Sequence, residues 1–276
     1  MTDLAELEYP VVSANCLKAI DMITSGDTDI LQLQKVIAQD AMLSLAVIRL
    51  GNSPMHRRQS EIEDVNTAIN ILGTTNVLNA LVMETIRGYS ENGGKTSERI
   101  IQHSAVISAL SHFIADRTFK QAKSTMELLG ILHDLPSLVL CHNFRPEYRE
   151  LMKNIARLEQ PLEKLELDIF GISRLDVMQR CVEEFHLSEN MTHALMLYSQ
   201  GTALEAANTK PDKYVSILRL AHHMESKVAS DQIRMHDSIP DGAEQLIANL
   251  DLKKPDYEEM LDNCASVVSE HISKVA

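Results

Sequence analysis

Apolar residues recur three and four positions apart along most of the chain. Ile30, Leu33 and Ile37 form one such stripe, and Leu43, Val47 and Leu50 repeat it before Gly51-Asn52-Ser53-Pro54 breaks the run. This spacing lines up side chains on one face of an α-helix. Gly and Asn suit helix C-termini, and Pro cannot readily continue a helix. Asp64 is placed to cap the next helix, which runs through Ala68, Ile69 and Leu72 to Gly73, and Thr74 or Thr75 starts another. Further on, Ile100, His103, Ile107, Leu110 and Ile114 make a stripe at 3-4-3-4 spacing. Met126, Leu129, His133 and Leu140 lie close to one face of a helix that Pro136 interrupts, and Val215, Leu218, His222 and Glu225 fall on one line of another. No run of four or more alternating β-branched positions is bounded by turn residues, as a strand would require. The pattern predicts an all-α protein.

The strongest internal breaker is Ser90-Glu91-Asn92-Gly93-Gly94, because Gly-Gly between polar residues interrupts any regular element. It divides an N-terminal helical lobe (1–94) from a second helical lobe (95–236). A turn at Asp237–Gly242 leads into a C-terminal helical extension (237–276), with helices expected at Glu244–Leu250 and Tyr257–Val275. No fixed-period repeat or low-complexity tract is present.

Composition narrows the class. The 276 residues are 45% hydrophobic and hold only 10 Gly and 8 Pro, a balance that excludes a disordered chain. No stretch approaches the ~18–20 uninterrupted apolar residues of a membrane span. The formal net charge of −13 argues against broad binding to nucleic acid. Residues 1–94 carry a net −6, residues 95–236 a net −1 and residues 237–276 a net −6. The near-neutral middle leaves room for a small anionic ligand, and the acidic ends suit a basic protein partner. Cys16, Cys141, Cys181 and Cys264 are far apart and form no CxxC, so they read as reduced thiols. The opening MTDLAELEYP lacks the basic and apolar segments of a signal peptide, which fits a cytoplasmic protein.

Candidate chemistry centres on His133-Asp134, within the otherwise apolar LLGILHDLPSLVL. Ionisable groups in such surroundings need partners. His103 lies 30 residues earlier and His222 lies 89 residues later, each on its own apolar helix face. Three imidazoles and a carboxylate from three helices suit one divalent ion, with Zn, Fe, Ni or Mn as the candidates. Spacing alone equally allows a metal-free core network in which Asp134 orients a histidine. The phosphate-binding loops GxxxxGK[ST] and GxGxxG are absent.

At these residues the chain resembles a known family. IAQDAMLSLAVIRLGNSP (37–54) and AINILGTTNVLNALV (68–82) are similar to the HDOD domain family, with Ala41 where the family usually has Pro. HSAVISALSHFIA (103–115), LGILHDLPSLVL (129–140), FGISRLDVMQ (170–179) and LRLAHHMES (218–226) follow in the family's order, so the resemblance covers about residues 5–230. It implies a two-lobed helical fold related to the HD metal-dependent phosphohydrolases, and a bacterial signalling or regulatory role. It also implies damage to a two-metal centre. The family's GxxH is Gly171-Ile172-Ser173-Arg174, its usual His pair is Ser199-Gln200, its Ala-Asp is Ala221-His222, and the Gly after its H-D-I is Pro136. The expectation is therefore a non-catalytic signal-transduction module that binds a protein partner of its pathway. A divergent phosphohydrolase acting on a nucleotide or phosphate ester is the alternative, and a nucleotide sensor is a third class.

Arg174 admits three readings: a surface residue, a guanidinium that takes a metal's place by pairing with Asp134, or a grip on the phosphate of a small ligand. Met55-His56-Arg57-Arg58 is a small basic cluster that reads as a solvated loop or an anion contact. Asn52 and Ser53 match a family motif, and their physical role is to satisfy backbone groups at a helix end.

Overall fold

The computed structural model describes residues 4–24, 28–53, 61–90, 93–158, 160–185, 187–228, 239 and 241–275. Among them every regular element is helical. The chain divides into two compact units, Pro10–Tyr89 with Val182–Ser188, and Met1–Tyr9 with Ser90–Cys181 and Glu189–Ala276. The sequence division near residues 90–94 lies beside the boundary at Tyr89 and Ser90, whereas residues 237–276 belong to the same unit as residues 95–181.

The smaller unit holds α1 (Ala14–Thr24), α2 (Ile30–Ala38), α3 (Ala41–Gly51) and most of α4 (Val65–Ser90). Asp29 and Asp40 precede α2 and α3 in extended conformation, and each side chain accepts from two first-turn N–H groups that no helical carbonyl can reach. Asp64 does the same for Thr67 N at 2.9 Å. The expected break at Gly73 is a kink inside α4, where Gly73 takes φ 72 and ψ 163. Asn52 does more than end α3. Its side chain donates to Ile62 O at 2.7 Å and accepts from Ile62 N at 2.8 Å, so one amide pairs both backbone groups of a residue ten positions on. Met55, His56, Arg57 and Arg58 lie outside the described residues.

The larger unit is organised around α5 (Gly94–Thr118), which packs on α6 (Lys123–Leu132), α12 (Lys210–Val228) and α14 (Lys254–Val275). Ile100, Ile107, Leu110 and Ile114 are buried along α5, as the stripe predicts. Its remaining helices are α7 (Leu135–Asn143), α8 (Arg145–Leu158), α9 (Leu162–Phe170), most of α10 (Arg174–Glu184), α11 (Glu189–Gln200) and α13 (Ala243–Asn249). The helix expected across Pro136 is two helices that meet at His133 and Asp134. Pro136 sits in the first turn of α7, where a missing N–H breaks no helical bond.

The approach of α5 to α6 is set by Gly130. A Cβ there would lie 2.4 Å from Ser108 Cα, so any side chain would force the helices apart. Ser108 Oγ also donates to Glu127 O at 2.8 Å across the same contact. A second anchor is Arg219 on α12, which is buried and paired with buried Asp241, within the stretch expected as a turn. Asp241 also accepts from Leu204 N at 2.7 Å, and Arg219 Nη2 donates to Thr202 O at 2.8 Å. Asp237, Ser238 and Pro240 of that stretch lie outside the described residues. Among the described residues, no helix is long and apolar enough to cross a membrane.

Candidate metal centre

Three helices bring His103, His133 and His222 together. His103 stands on α5, His133 ends α6 and His222 stands on α12. Their relative exposures are 0%, 0% and 3%. One ring nitrogen from each lies within 4.8 Å of the others. Centroid separations are 5.2 Å for His103–His133, 5.2 Å for His103–His222 and 4.9 Å for His133–His222.

The hydrogen bonds settle where the ring protons sit. His103 Nδ1 is 2.8 Å from Glu225 Oε1, His133 Nδ1 is 2.8 Å from Gly130 O and His222 Nδ1 is 2.8 Å from Leu218 O. All three partners are acceptors, so each Nδ1 must donate. A neutral imidazole then carries its lone pair on Nε2. His103 Nε2 and His133 Nε2 are 3.3 Å apart, so two acceptor nitrogens face each other in the buried core. A shared proton or a cation between them would relieve that opposition. Tyr198 Oη, on α11, donates to His222 Nε2 at 3.1 Å.

This donor set fits a metal. Zinc–imidazole bonds of ~2.0–2.1 Å at tetrahedral angles place two ligand nitrogens about 3.3–3.4 Å apart. The His103–His133 separation matches that edge, and the three ring nitrogens together lie within 4.8 Å of one another. A carboxylate or carbonyl behind each ligand ring is also the usual way to fix its tautomer and orientation.

Asp134 has a different partner. Its Oδ1 accepts from Arg174 Nη2, and both residues are buried. Its Oδ2 is buried with no hydrogen-bond partner among the described residues. It stands outside the histidine grouping. The carboxylate accepting from an imidazole of this group is Glu225, one turn beyond His222 on α12.

Arg174 reaches Asp134 because Gly171 ends α9 in the left-handed conformation, at φ 68, which turns the chain sharply into α10. The guanidinium is 5% exposed, so the surface reading is replaced by the pairing one. Arg174 Nη2 also donates to Ser137 Oγ at 2.6 Å, and Arg174 Nε is 3.8 Å from Glu166 Oε2. Ser137 Oγ in turn donates to Glu166 Oε1 at 2.8 Å, and Tyr148 Oη donates to the same oxygen. Burial, then the Glu166 charge, holds the Tyr148 phenol well above its ordinary range, so it stays a donor. Ser137, Tyr148, Glu166, Tyr198 and Glu225 were not singled out from the sequence as site residues. The signals available were Glu225 one helical turn from His222 and Glu166 on the apolar face between Leu165 and Phe170.

The chain belongs to the HDOD domain family, whose model matches residues 9–200. No curated protein matches it in sequence. Among solved structures it is similar to an HDOD domain protein from Geobacter sulfurreducens, with 18% identity, 99% of this chain and 94% of that one covered, and a TM-score of 0.75. A candidate signal-transduction protein from Marinobacter aquaeolei VT8 is 16% identical, with 99% of this chain and 61% of that one covered, at a TM-score of 0.76. A candidate phosphohydrolase from Shewanella amazonensis SB2B is 14% identical, with 97% and 95% covered, at a TM-score of 0.69. At these identities the likeness is one of fold.

Proposed function

We propose that this HDOD chain is a regulatory module that holds one divalent transition-metal ion on His103, His133 and His222. In this reading it acts by binding a protein partner and does not hydrolyse phosphate esters. The observation that carries the reading is the direction of the imidazole protons: every Nδ1 points at an oxygen, which leaves Nε2 lone pairs to converge. With Asp134 held by Arg174, the donor set is all imidazole. That favours Zn, Ni or Fe over Mn, which prefers oxygen ligands. Glu225 supplies the balancing negative charge one bond behind His103. When bound, the ion ties α5, α6 and α12 together.

Two features support a non-hydrolytic role. The histidines are buried, which leaves a phosphate ester no direct approach. The Arg174 guanidinium, which would stabilise phosphate oxygens, instead neutralises Asp134. A signalling role is in keeping with the Marinobacter relative, and a phosphohydrolase role with the Shewanella one.

The test is elemental analysis of protein purified from metal-replete medium, with assays on aryl phosphate monoesters and diesters. About one ion per chain and no turnover are expected. Protein that takes up no zinc when it is supplied would overturn the metal reading. Turnover that vanishes in His133→Ala would overturn the non-hydrolytic one.

A further inference from the structure

The chain is acidic overall, yet one cleft is cationic. A cavity of about 520 Å³ lies where the start of α5 meets α8. Its lining includes Lys95 and Arg99 from α5 and Arg149 and Lys153 from α8, and no carboxylate among the described residues. Each pair is spaced i, i+4, so both cations of each helix share a face. Like charges at that spacing repel weakly, so an anion between them would be stabilising.

Other details suit an anion. Arg99 is half-buried, and its Nη1 donates to Met152 O at 3.4 Å, which holds the guanidinium between the two helices. Lys95, Arg149 and Lys153 are exposed, so the cleft is open to ligand. Lys153 shares a contact with Glu150 at 3.2 Å, an exposed pair that gives way readily. The α5 terminus has no side-chain cap on Gly93 and no acid in its first turn, so its N–H groups and dipole add to the positive field. Buried Met152 supplies an apolar wall.

We infer that this cavity binds a small molecule bearing a diphosphate group. Four cations from two helices match a compact, multiply charged anion better than a single carboxylate, and the volume lies in the range of small-molecule pockets. None of these residues belongs to the histidine group, so the inference stands apart from the metal reading. It also moves the expected phosphate contact away from Arg174, which is buried and engaged with Asp134.

Titration calorimetry on the full chain at constant ionic strength tests this, with inorganic pyrophosphate and ADP as probes. Saturable one-site binding is expected for both. Tighter ADP binding would assign part of the cavity to a nucleoside, and equal binding would assign recognition to the diphosphate alone. Arg149→Ala and Lys153→Ala should each weaken binding roughly tenfold. The double variant should bind neither probe, while its ligand-free melting temperature stays level or rises. Absence of saturable binding would overturn the inference. So would equal affinity in the double variant, the result expected if the probes were held by metal at the histidines.

Discussion

The histidine group is a gathering of acceptors, whereas the Arg174 network beside it is built around a donor. At His103, His133 and His222 each ring donates outward from Nδ1, and lone pairs face inward. At Arg174 a guanidinium points inward to Asp134 and Ser137, with Glu166 nearby and Tyr148 and Ser137 donating to it. The chain supplies its own cation in one place and, in the proposed function, leaves the other to an external one. His133 and Asp134 are consecutive, but Asp134 pairs with Arg174 while His133 groups with His103 and His222.

The largest effect is expected at Arg174. Arg174→Met leaves two buried carboxylates without their cation and should cost about 3–5 kcal/mol of stability. Chemical denaturation measures this, and metal content in the folded fraction should not change. A cost within about 0.5 kcal/mol would mean that the guanidinium does not balance the acids. Gly130→Ala comes next, because its methyl group meets the Ser108 backbone. The two helices must separate, at about 3 kcal/mol, and the His103–His133 edge should open with them. Unchanged stability and unchanged zinc affinity would contradict the role of that close approach.

Tyr148→Phe removes one donor from buried Glu166 and should cost about 1–3 kcal/mol with no effect on metal binding. Since burial and the Glu166 charge keep this phenol protonated, wild-type stability should show no Tyr148 titration across neutral pH. A Tyr148-dependent loss of stability between neutral pH and the ordinary tyrosine range would contradict that. The smallest effect is expected at Tyr198, whose hydroxyl competes for His222 Nε2. Tyr198→Phe should leave stability within about 1 kcal/mol and tighten zinc binding by up to roughly tenfold. Weaker binding would instead make the hydroxyl part of the metal's surroundings.

Much of the fold was legible because core-facing residues repeat at helical spacing. The stripe through Ile100 and Ile114 is buried, and Gly73 is where the backbone turns. The three histidines were found because each interrupts an apolar stripe. Arg174 was harder. Nothing local marks it as buried, since its partners Asp134 and Glu166 come from α9 and the α6–α7 junction. The cationic cleft was missed for the same reason. Lys95 and Arg99 are one ordinary i, i+4 pair, Arg149 and Lys153 are another, and only the packing of α5 with α8 brings them together.

In the proposed function the ion is held by histidines while Asp134 serves Arg174, and metal content in two variants separates these roles. His133→Ala removes one donor nitrogen. Asp134→Asn combined with Arg174→Gln replaces the ion pair by a neutral one and leaves every imidazole in place. After equal exposure to zinc and dialysis, the double variant should retain about one ion per chain, as the wild type does, and His133→Ala should retain almost none. Loss of the ion in the folded double variant, or its retention in His133→Ala, would contradict that division of roles.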